Sequence, residues 1–196
     1  MNYHAAKAFI VEKLERELSA DLTYHGLHHT LDVLHITEEL CLMESIGVYE
    51  SMLLKTAALF HDSGFIKNNK DHETLGCAIA REHLPRYDYT PLEIERICSM
   101  IMATKIPQSP ANFLEAILCD ADLDYLGRED FFDIGSTLFQ ELKTYQVLQR
   151  EEDWNRLQVS FLEKHAFFTP TNQRRRAPRK QAYLEQLKQV VAGYDI

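Results

Sequence analysis

The chain has 196 residues, a length that suits one domain with a full hydrophobic core. Apolar residues make up 45% and charged residues 26%, proportions that exclude a disordered or fibrous chain. The 30 acidic and 21 basic residues leave a net charge of -9, which argues against general binding to nucleic acid or to anionic membranes.

No apolar run approaches the roughly 20 residues that a membrane span needs. The first 18 residues carry charged side chains among their apolar positions, unlike a signal peptide, so we expect a cytoplasmic protein. The four cysteines are widely separated and form no Cys-x-x-Cys pair, so we expect neither disulfides nor a cysteine zinc site.

Apolar residues recur at helical spacing along most of the chain, and alternating strand patterns are absent. The first predicted helix has an apolar face formed by Ala6, Phe9, Ile10, Leu14 and Leu18. Further helices are predicted at about 27–46, 51–62, 72–84, 91–103, 111–120, 128–145 and 173–192. Another precedes the last one and has an apolar face of Trp154, Leu157, Phe161 and Leu162.

Glycine and proline mark several of these boundaries. Gly47 and Gly64 fit positions just past a helix, and Thr90 followed by Pro91 fits a cap with proline in the first turn. The chain has no internal repeat and no linker. We therefore predict an all-α, single-domain helical bundle of about eight or nine helices over residues 1–196.

The nine histidines are concentrated in one part of the chain, since seven of them fall between residues 25 and 83. The sharpest feature is His61-Asp62, at the end of an apolar helical run. An imidazole and a carboxylate are costly to bury without partners, and a metal ion is the commonest partner. A His-Asp pair that only hydrogen-bonds at a helix end is the simpler alternative for this dipeptide alone.

The His61-Asp62 pair belongs to a set of three segments that are interpreted together. They are YHGLHHTLDVL at 24–34, AALFHDSGF at 57–65 and LCDADLDYLG at 118–127. Their order of His, His-Asp and Asp resembles the HD superfamily of metal-dependent phosphohydrolases, and the segment IMATK at 101–105 is also similar to its small bacterial members. The resemblance implies an HD core at about 24–127, with the helices of 128–196 packed on it.

The resemblance also implies a set of metal ligands. These are His29, His61, Asp62 and Asp120, where Asp120 is taken as the first of three closely spaced aspartates. Two imidazoles and two carboxylates suit Mn²⁺, Fe²⁺, Co²⁺, Ni²⁺ or Mg²⁺ better than a thiolate-loving ion. Four protein ligands on an octahedral ion leave about two positions, which a water and a phosphoryl oxygen can take.

The segment that begins His72-Glu73 leaves two interpretations open. It resembles the His-x-x-x-Gly segment that supplies a second-metal ligand in the cyclic-dinucleotide branch of the superfamily. That branch needs further histidines downstream, where this chain has only His83 and His165. We therefore favour one metal ion per chain, with His72 or Glu73 acting on the substrate.

Four local patterns have competing interpretations. His25 and His29 have the spacing of helical zinc ligands, residues 122–133 resemble part of a calcium loop, and Cys119 is a potential thiol nucleophile. A basic run offers candidate phosphate contacts at Arg174, Arg175, Arg176, Arg179 and Lys180. The first pattern is only a weak match to a zinc site, and the second is an accidental match to a calcium loop. For Cys119 we favour core packing, and for the basic run we favour a solvated helix face.

The predicted function is hydrolysis of a phosphate ester of a small molecule such as a nucleotide. Lys105 and Arg128 are candidate phosphate contacts, since a cation offsets charge on the transferring group. One alternative is a metal-bound, nucleotide-sensing module without turnover. Another is an HD-type diiron oxygenase, which needs more histidine ligands than this chain offers.

Overall fold

The computed structural model describes residues 1–195, and every regular element in that range is helical. The chain forms two compact units, one from Met1 to Asp122 and one from Leu123 onward. None of the helices described is long and apolar enough to cross a membrane.

The first unit contains six α-helices. They are α1 (Tyr3–Glu17), α2 (Leu27–Met43), α3 (Val48–Phe60), α4 (His72–His83), α5 (Pro91–Ala103) and α6 (Phe113–Asp122). Two short 3-10 turns join them, at Ser63–Ile66 after α3 and at Leu84–Tyr87 after α4. Helix α3 packs against α2, α5, α1 and α6, so it is the central helix of this unit.

The burial pattern of α3 explains its central place. Its second half, from Leu53 to Phe60, is buried except for Lys55, and burial on nearly all sides is typical of a helix enclosed by others.

Helix α5 begins with a capping box, in which the Thr90 hydroxyl accepts from the Glu93 backbone N–H and the Glu93 carboxylate accepts from the Thr90 backbone N–H.

The second unit contains four α-helices. They are α7 (Phe131–Thr144), α8 (Glu151–Lys164), α9 (Pro170–Arg175) and α10 (Ala177–Ala192). A 3-10 turn, Asp124–Gly127, precedes α7 and packs against α10. Helices α8 and α10 pack closely, and the buried Lys180 ammonium on α10 donates to backbone carbonyls of Leu162 and His165 at the end of α8.

The predicted all-α fold class is confirmed. The described residues contain ten α-helices rather than eight or nine, partly because the segment predicted as one helix at 173–192 is split at Arg176. Pro178, in the first turn of α10, explains the split, since proline cannot donate a backbone hydrogen bond to a preceding helical turn. The single-domain arrangement stays a prediction.

Candidate metal centre

Donor atoms from three helical segments converge at one buried point of the first unit. One ligand atom each of His29, His61 and Asp122 lies within 4.8 Å of the other two. The Asp62 Oδ2 atom lies 3.4 Å from His29 Nε2 and 3.2 Å from His61 Nε2. All four side chains are largely shielded from water, and Asp122 is the most exposed of them, at 14%.

His61 and Asp62 stand where α3 ends. A helix end leaves backbone carbonyls without intrahelical partners. His61 Nδ1 lies 2.8 Å from the Ala58 carbonyl oxygen, and the Ser63 hydroxyl donates to the Phe60 carbonyl at 2.7 Å. Because a carbonyl oxygen only accepts, the first contact places the His61 proton on Nδ1 and leaves Nε2 as a ligand atom facing the centre.

His29 lies in the first turn of α2. Its Nε2 is 3.4 Å from His61 Nε2 and 3.3 Å from Asp122 Oδ1. The Tyr24 ring packs against the His29 ring, with centroids 4.8 Å apart, and Tyr24 is itself buried. The sequence therefore supplies both the ligand and, five residues earlier, an aromatic ring that restricts its orientation.

The third helix contributes Asp122 in place of the predicted Asp120. Both residues lie on α6, where two positions differ by a rotation of about 200° around the helix axis. Asp122 Oδ1 approaches His29 and His61, whereas Asp120 is fully buried and does not belong to the convergent group. We therefore take His29, His61 and Asp122, together with Asp62, which contacts both imidazoles, as the candidate metal group, and the predicted ligand role of Asp120 stays a prediction.

The charges at this point influence one another strongly. Burial lowers the pKa of His61, but the neighbouring Asp62 and Asp122 carboxylates outweigh burial and raise it well above its usual value. Burial raises the pKa of each carboxylate, while the surrounding imidazoles lower it, to about 2 for Asp122 and well below the usual range for Asp62. Both carboxylates are therefore ionised and attract positive charge to the centre.

These donors fit a divalent metal ion. The contacts that His29 Nε2 and His61 Nε2 make with each other and with the two carboxylates span 3.2–3.5 Å, a spacing that donors adopt around one ion at bond lengths of about 2.1 Å. Asp62 Oδ2 is buried and has no hydrogen-bond partner in the structure. A buried carboxylate oxygen without a partner is costly, and a cation at this point removes that cost.

The other oxygen of Asp62 faces a second group of side chains at the start of α4. His72 Nε2 lies 3.4 Å from Asp62 Oδ1 and 3.4 Å from Glu73 Oε1. His72 Nδ1 lies 3.2 Å from the Asn69 carbonyl oxygen, so that nitrogen carries the donated proton. Both predicted catalytic residues of this segment therefore adjoin the candidate metal group through Asp62.

Phe65 lies between His72 and a further imidazole, that of His25, which was not among the predicted site residues. The Phe65 ring lies against the rings of His25 and His72, with centroids 4.2 Å away in each case. The three rings are partly exposed, whereas His29, His61 and Asp62 are buried. They therefore form the more accessible side of Asp62.

Two glycines allow the start of α4 to approach this site. A Cβ atom on Gly64 would lie 1.9 Å from the His72 carbonyl oxygen, and one on Gly76 would lie 2.9 Å from the Phe60 carbonyl oxygen. Such distances are below any normal contact, so both positions need glycine for the close backbone approach. From the sequence, Gly64 was predicted only to lie just past a helix, and its close approach to α4 was not predicted.

The two predicted phosphate contacts lie in different units. The Lys105 ammonium is 3.0 Å from Asp71 Oδ1, and Asp71 directly precedes His72. Lys105 therefore lies beside the start of α4, with 46% of its side chain exposed. Arg128 belongs to the second unit, where its guanidinium forms a 2.9 Å ion pair with Asp130. Its role as a phosphate contact stays a prediction.

The remaining local patterns have structural environments of their own. Cys119 is buried, and burial followed by nearby carboxylates raises the pKa of its thiol, as expected for core packing rather than for a nucleophile. Within the basic run, Arg176 forms a 2.9 Å ion pair with the buried Asp124, and Arg179 pairs with Glu129 at 3.2 Å. Arg176 therefore has a structural role in the second unit, and the basic run is not only a solvated helix face.

Comparison with known proteins gives one match. The family model described as the HD domain matches residues 26–124, just over half of the chain. The match includes all four residues of the candidate metal group. Neither the curated proteins nor the solved structures yield a match.

Proposed function

Because this chain belongs to the HD superfamily of metal-dependent phosphohydrolases, we propose that it hydrolyses a phosphate ester of a small molecule such as a nucleotide. The observation that carries the proposal is the convergence of His29, His61 and Asp122 on one buried point, where Asp62 contacts both imidazoles. These four residues hold a divalent ion, for which Mn²⁺, Fe²⁺, Co²⁺, Ni²⁺ and Mg²⁺ are the candidates. When bound, such an ion lowers the pKa of a water and offsets charge on phosphoryl oxygens.

The chain's own residues have distinct tasks in this proposal. The proton of His61 on Nδ1 is held by the Ala58 carbonyl, so that its Nε2 stays directed at the centre. His72 directs Nε2 toward Asp62 and Glu73. In its doubly protonated form, with the Nδ1 proton held by the Asn69 carbonyl, it is proposed to pass the Nε2 proton to the leaving oxygen and to be left as a neutral imidazole. General acid catalysis of this kind contributes roughly 10²–10⁴ to the rate.

Lys105 is proposed to contact the substrate phosphate. Its ammonium pairs with Asp71 beside the start of α4, and its exposure allows it to exchange that partner for a phosphoryl oxygen. The contact is electrostatic and lies near the surface, so its contribution is modest.

The first test combines metal analysis with a substrate panel. The purified protein is stripped with a chelator, reloaded with each candidate ion, and assayed on p-nitrophenyl phosphate, its bis ester and a set of nucleotides. We expect turnover that the chelator abolishes and one or more ions restore, with one tightly held ion per chain. No turnover above that of Asp122→Asn on the whole panel would overturn the proposal.

The second test concerns His72. His72→Gln keeps a polar side chain but removes the imidazole, and we expect it to retain the metal while losing roughly 10²–10⁴ in rate. The matched control is His83→Gln, at the other end of α4, where the ring packs on Phe9. Two ions per chain, with one lost in His72→Gln, would contradict the single-ion proposal.

The same panel separates the two alternatives. A sensing module binds a nucleotide in the metal-loaded state without turnover, which calorimetry with the same nucleotides detects. A diiron oxygenase needs more histidine ligands, but His83 packs against Phe9 and His165 packs against Phe161 and Phe167. These two positions do not support a second iron.

A further inference from the structure

Gln108 contacts the last turn of α6 with its side-chain amide. Its Nε2 donates to the Cys119 backbone carbonyl at 3.0 Å and to Asp122 Oδ2 at 3.4 Å. A backbone carbonyl and an ionised carboxylate both accept only, so the amide nitrogen, with its two protons, must face them. This assignment of the amide orientation therefore follows from its partners.

The two acceptors are linked by the geometry of the helix. Cys119 is three residues before Asp122, so both residues lie on the last turn of α6. One amide group thus contacts a carbonyl of that turn and holds one oxygen of the Asp122 carboxylate. With Oδ2 engaged by Gln108, Oδ1 is the oxygen that faces His29 and His61, at 3.3 and 3.5 Å.

We propose that Gln108 is a positioning residue that orients Asp122 for metal binding. It contacts that group through the second oxygen of Asp122, Oδ2, rather than as a ligand itself. By donating to Oδ2 it restricts rotation of the carboxylate and presents Oδ1 to the ion. Partners of metal ligands have this effect in general, and their loss typically weakens metal affinity 10- to 100-fold. The inference rests on Asp122 being a ligand, as in the proposed function.

The local sequence explains why this residue reaches the site. Gln108 lies in the loop between α5 and α6, where the Ser109 backbone N–H donates to the Ala103 carbonyl at 3.2 Å and holds the loop against the end of α5. The Cys119 thiol contacts the same Ala103 carbonyl at 3.2 Å. The loop and the end of α6 are therefore joined at a common carbonyl, and Gln108 lies beside this junction.

The test measures metal affinity and not activity. Wild type, Gln108→Leu and Gln108→Asn are stripped of metal and titrated with Co²⁺ in competition with a chelating dye. Leucine removes both donors, and asparagine is one methylene too short to reach both acceptors. We expect affinity to fall 10- to 100-fold in both variants, with unchanged stoichiometry at saturating Co²⁺ and a shifted visible absorption of the bound ion.

Two control variants identify the cause of any change. Gln173→Leu removes another glutamine amide that donates to two backbone carbonyls, those of Phe167 and Phe168, and we expect its Co²⁺ affinity to match the wild type. Asp122→Asn removes the proposed ligand itself. If Asp122→Asn loses Co²⁺ while both Gln108 variants bind within threefold of wild type, the positioning role is overturned although the metal site stands.

The remaining outcomes are also decisive. If Asp122→Asn binds Co²⁺ as wild type does, Asp122 is not a ligand, and both this inference and the proposed ligand set are overturned. A purely structural role for Gln108 predicts a lower melting temperature of the metal-free variants with unchanged affinity. That result too would overturn the inference, because it assigns the contact to stability alone.

Discussion

Asp122 and Asp124 are only two residues apart, the first largely shielded from water and the second buried, yet they belong to different units and face different partners. In the first unit, Asp122 faces the imidazoles of His29 and His61. In the second, Asp124 accepts from the Arg176 guanidinium at 2.9 Å and from the Asn172 amide at 3.1 Å.

The difference shows how a metal ligand is distinguished from a structural carboxylate. A guanidinium carries a permanent charge, so Asp124 has its counter-ion within the chain. Imidazoles are largely neutral near pH 7 unless their surroundings hold a proton on them, so the charge of Asp122 and Asp62 is balanced by a cation or a proton. A buried carboxylate among histidines is therefore the better candidate for a metal ligand than one beside an arginine.

The largest effect that tests this comparison is on metal content. Asp122→Asn should weaken metal binding by about 10²- to 10³-fold, because the roughly 10–16 kcal/mol that binding supplies in structural zinc sites, shared among four donors, is about 2.5–4 kcal/mol for each. Asp124→Asn should retain the metal. Elemental analysis after gel filtration measures both, and Asp120→Asn, which should also retain the metal, tests the choice of Asp122 over Asp120 directly. Equal metal loss in Asp120→Asn and Asp122→Asn would remove the distinction.

The second effect concerns stability in the other unit. Arg176→Met leaves the Asp124 carboxylate buried without its cation, and burial already raises the pKa of that carboxyl against the opposing influence of Arg176. Removing one partner of a buried ion pair costs about 3–5 kcal/mol of unfolding free energy. Urea denaturation followed by circular dichroism measures this, and the metal content should stay at the wild-type value.

The paired substitution sharpens that result. In Arg176→Met with Asp124→Leu, neither charge remains, so the loss of unfolding free energy should be smaller than in Arg176→Met alone. A double variant as unstable as the sum of the two single variants would show that the pair does not act as a unit.

The third effect concerns one glycine in each unit, Gly64 and Gly127, whose missing side chain allows another backbone segment to lie close. Gly64→Ala would bring a Cβ to 1.9 Å from the His72 carbonyl, and Gly127→Ala would bring one to 2.4 Å from the Arg176 carbonyl. Each should lower the unfolding free energy by about 1–3 kcal/mol, since the backbone must shift. Gly193→Ala, which meets no atom within 4 Å, is the matched control and should be close to neutral.

The smallest effect is on substrate affinity. Lys105→Met removes an exposed charge whose partner is Asp71, so we expect KM to rise by less than about fivefold with kcat nearly unchanged. Steady-state kinetics on the best substrate of the panel measures the two constants separately. A large fall in kcat would instead indicate that Lys105 contacts the reacting atoms.

Much of the fold was predictable, because helix formation in this chain follows local apolar periodicity. The segment predicted at 91–103 agrees with α5 at both ends, since Thr90 and Pro91 mark its start chemically. The segment predicted at 27–46 extends beyond α2, which ends at Met43, because Ser45 has a positive φ of 55°. No local pattern marked that turn.

The site was predictable where its residues adjoin in sequence. The pattern indicated His61 and Asp62, which are neighbours at the end of an apolar helix, and the resemblance to the HD superfamily implied His29. Asp122 and Gln108 were missed for different reasons. Three aspartates at alternate positions look equivalent in sequence, and a single glutamine in a loop carries no signal of the carboxylate that it will contact.

The sequence by itself thus determined the helical class and the HD motifs, because these depend on residue type and on spacing along one segment, and the resemblance that those motifs carry implied three of the four candidate ligands. Only the tertiary structure decided which aspartate joins them, since that depends on how α6 is rotated against α2 and α3. It also placed His72 beside Asp62 and Gln108 beside Asp122, contacts that span 10 to 14 positions of the chain. Such contacts follow from packing and from the close approaches that glycine permits, and no local pattern encodes them.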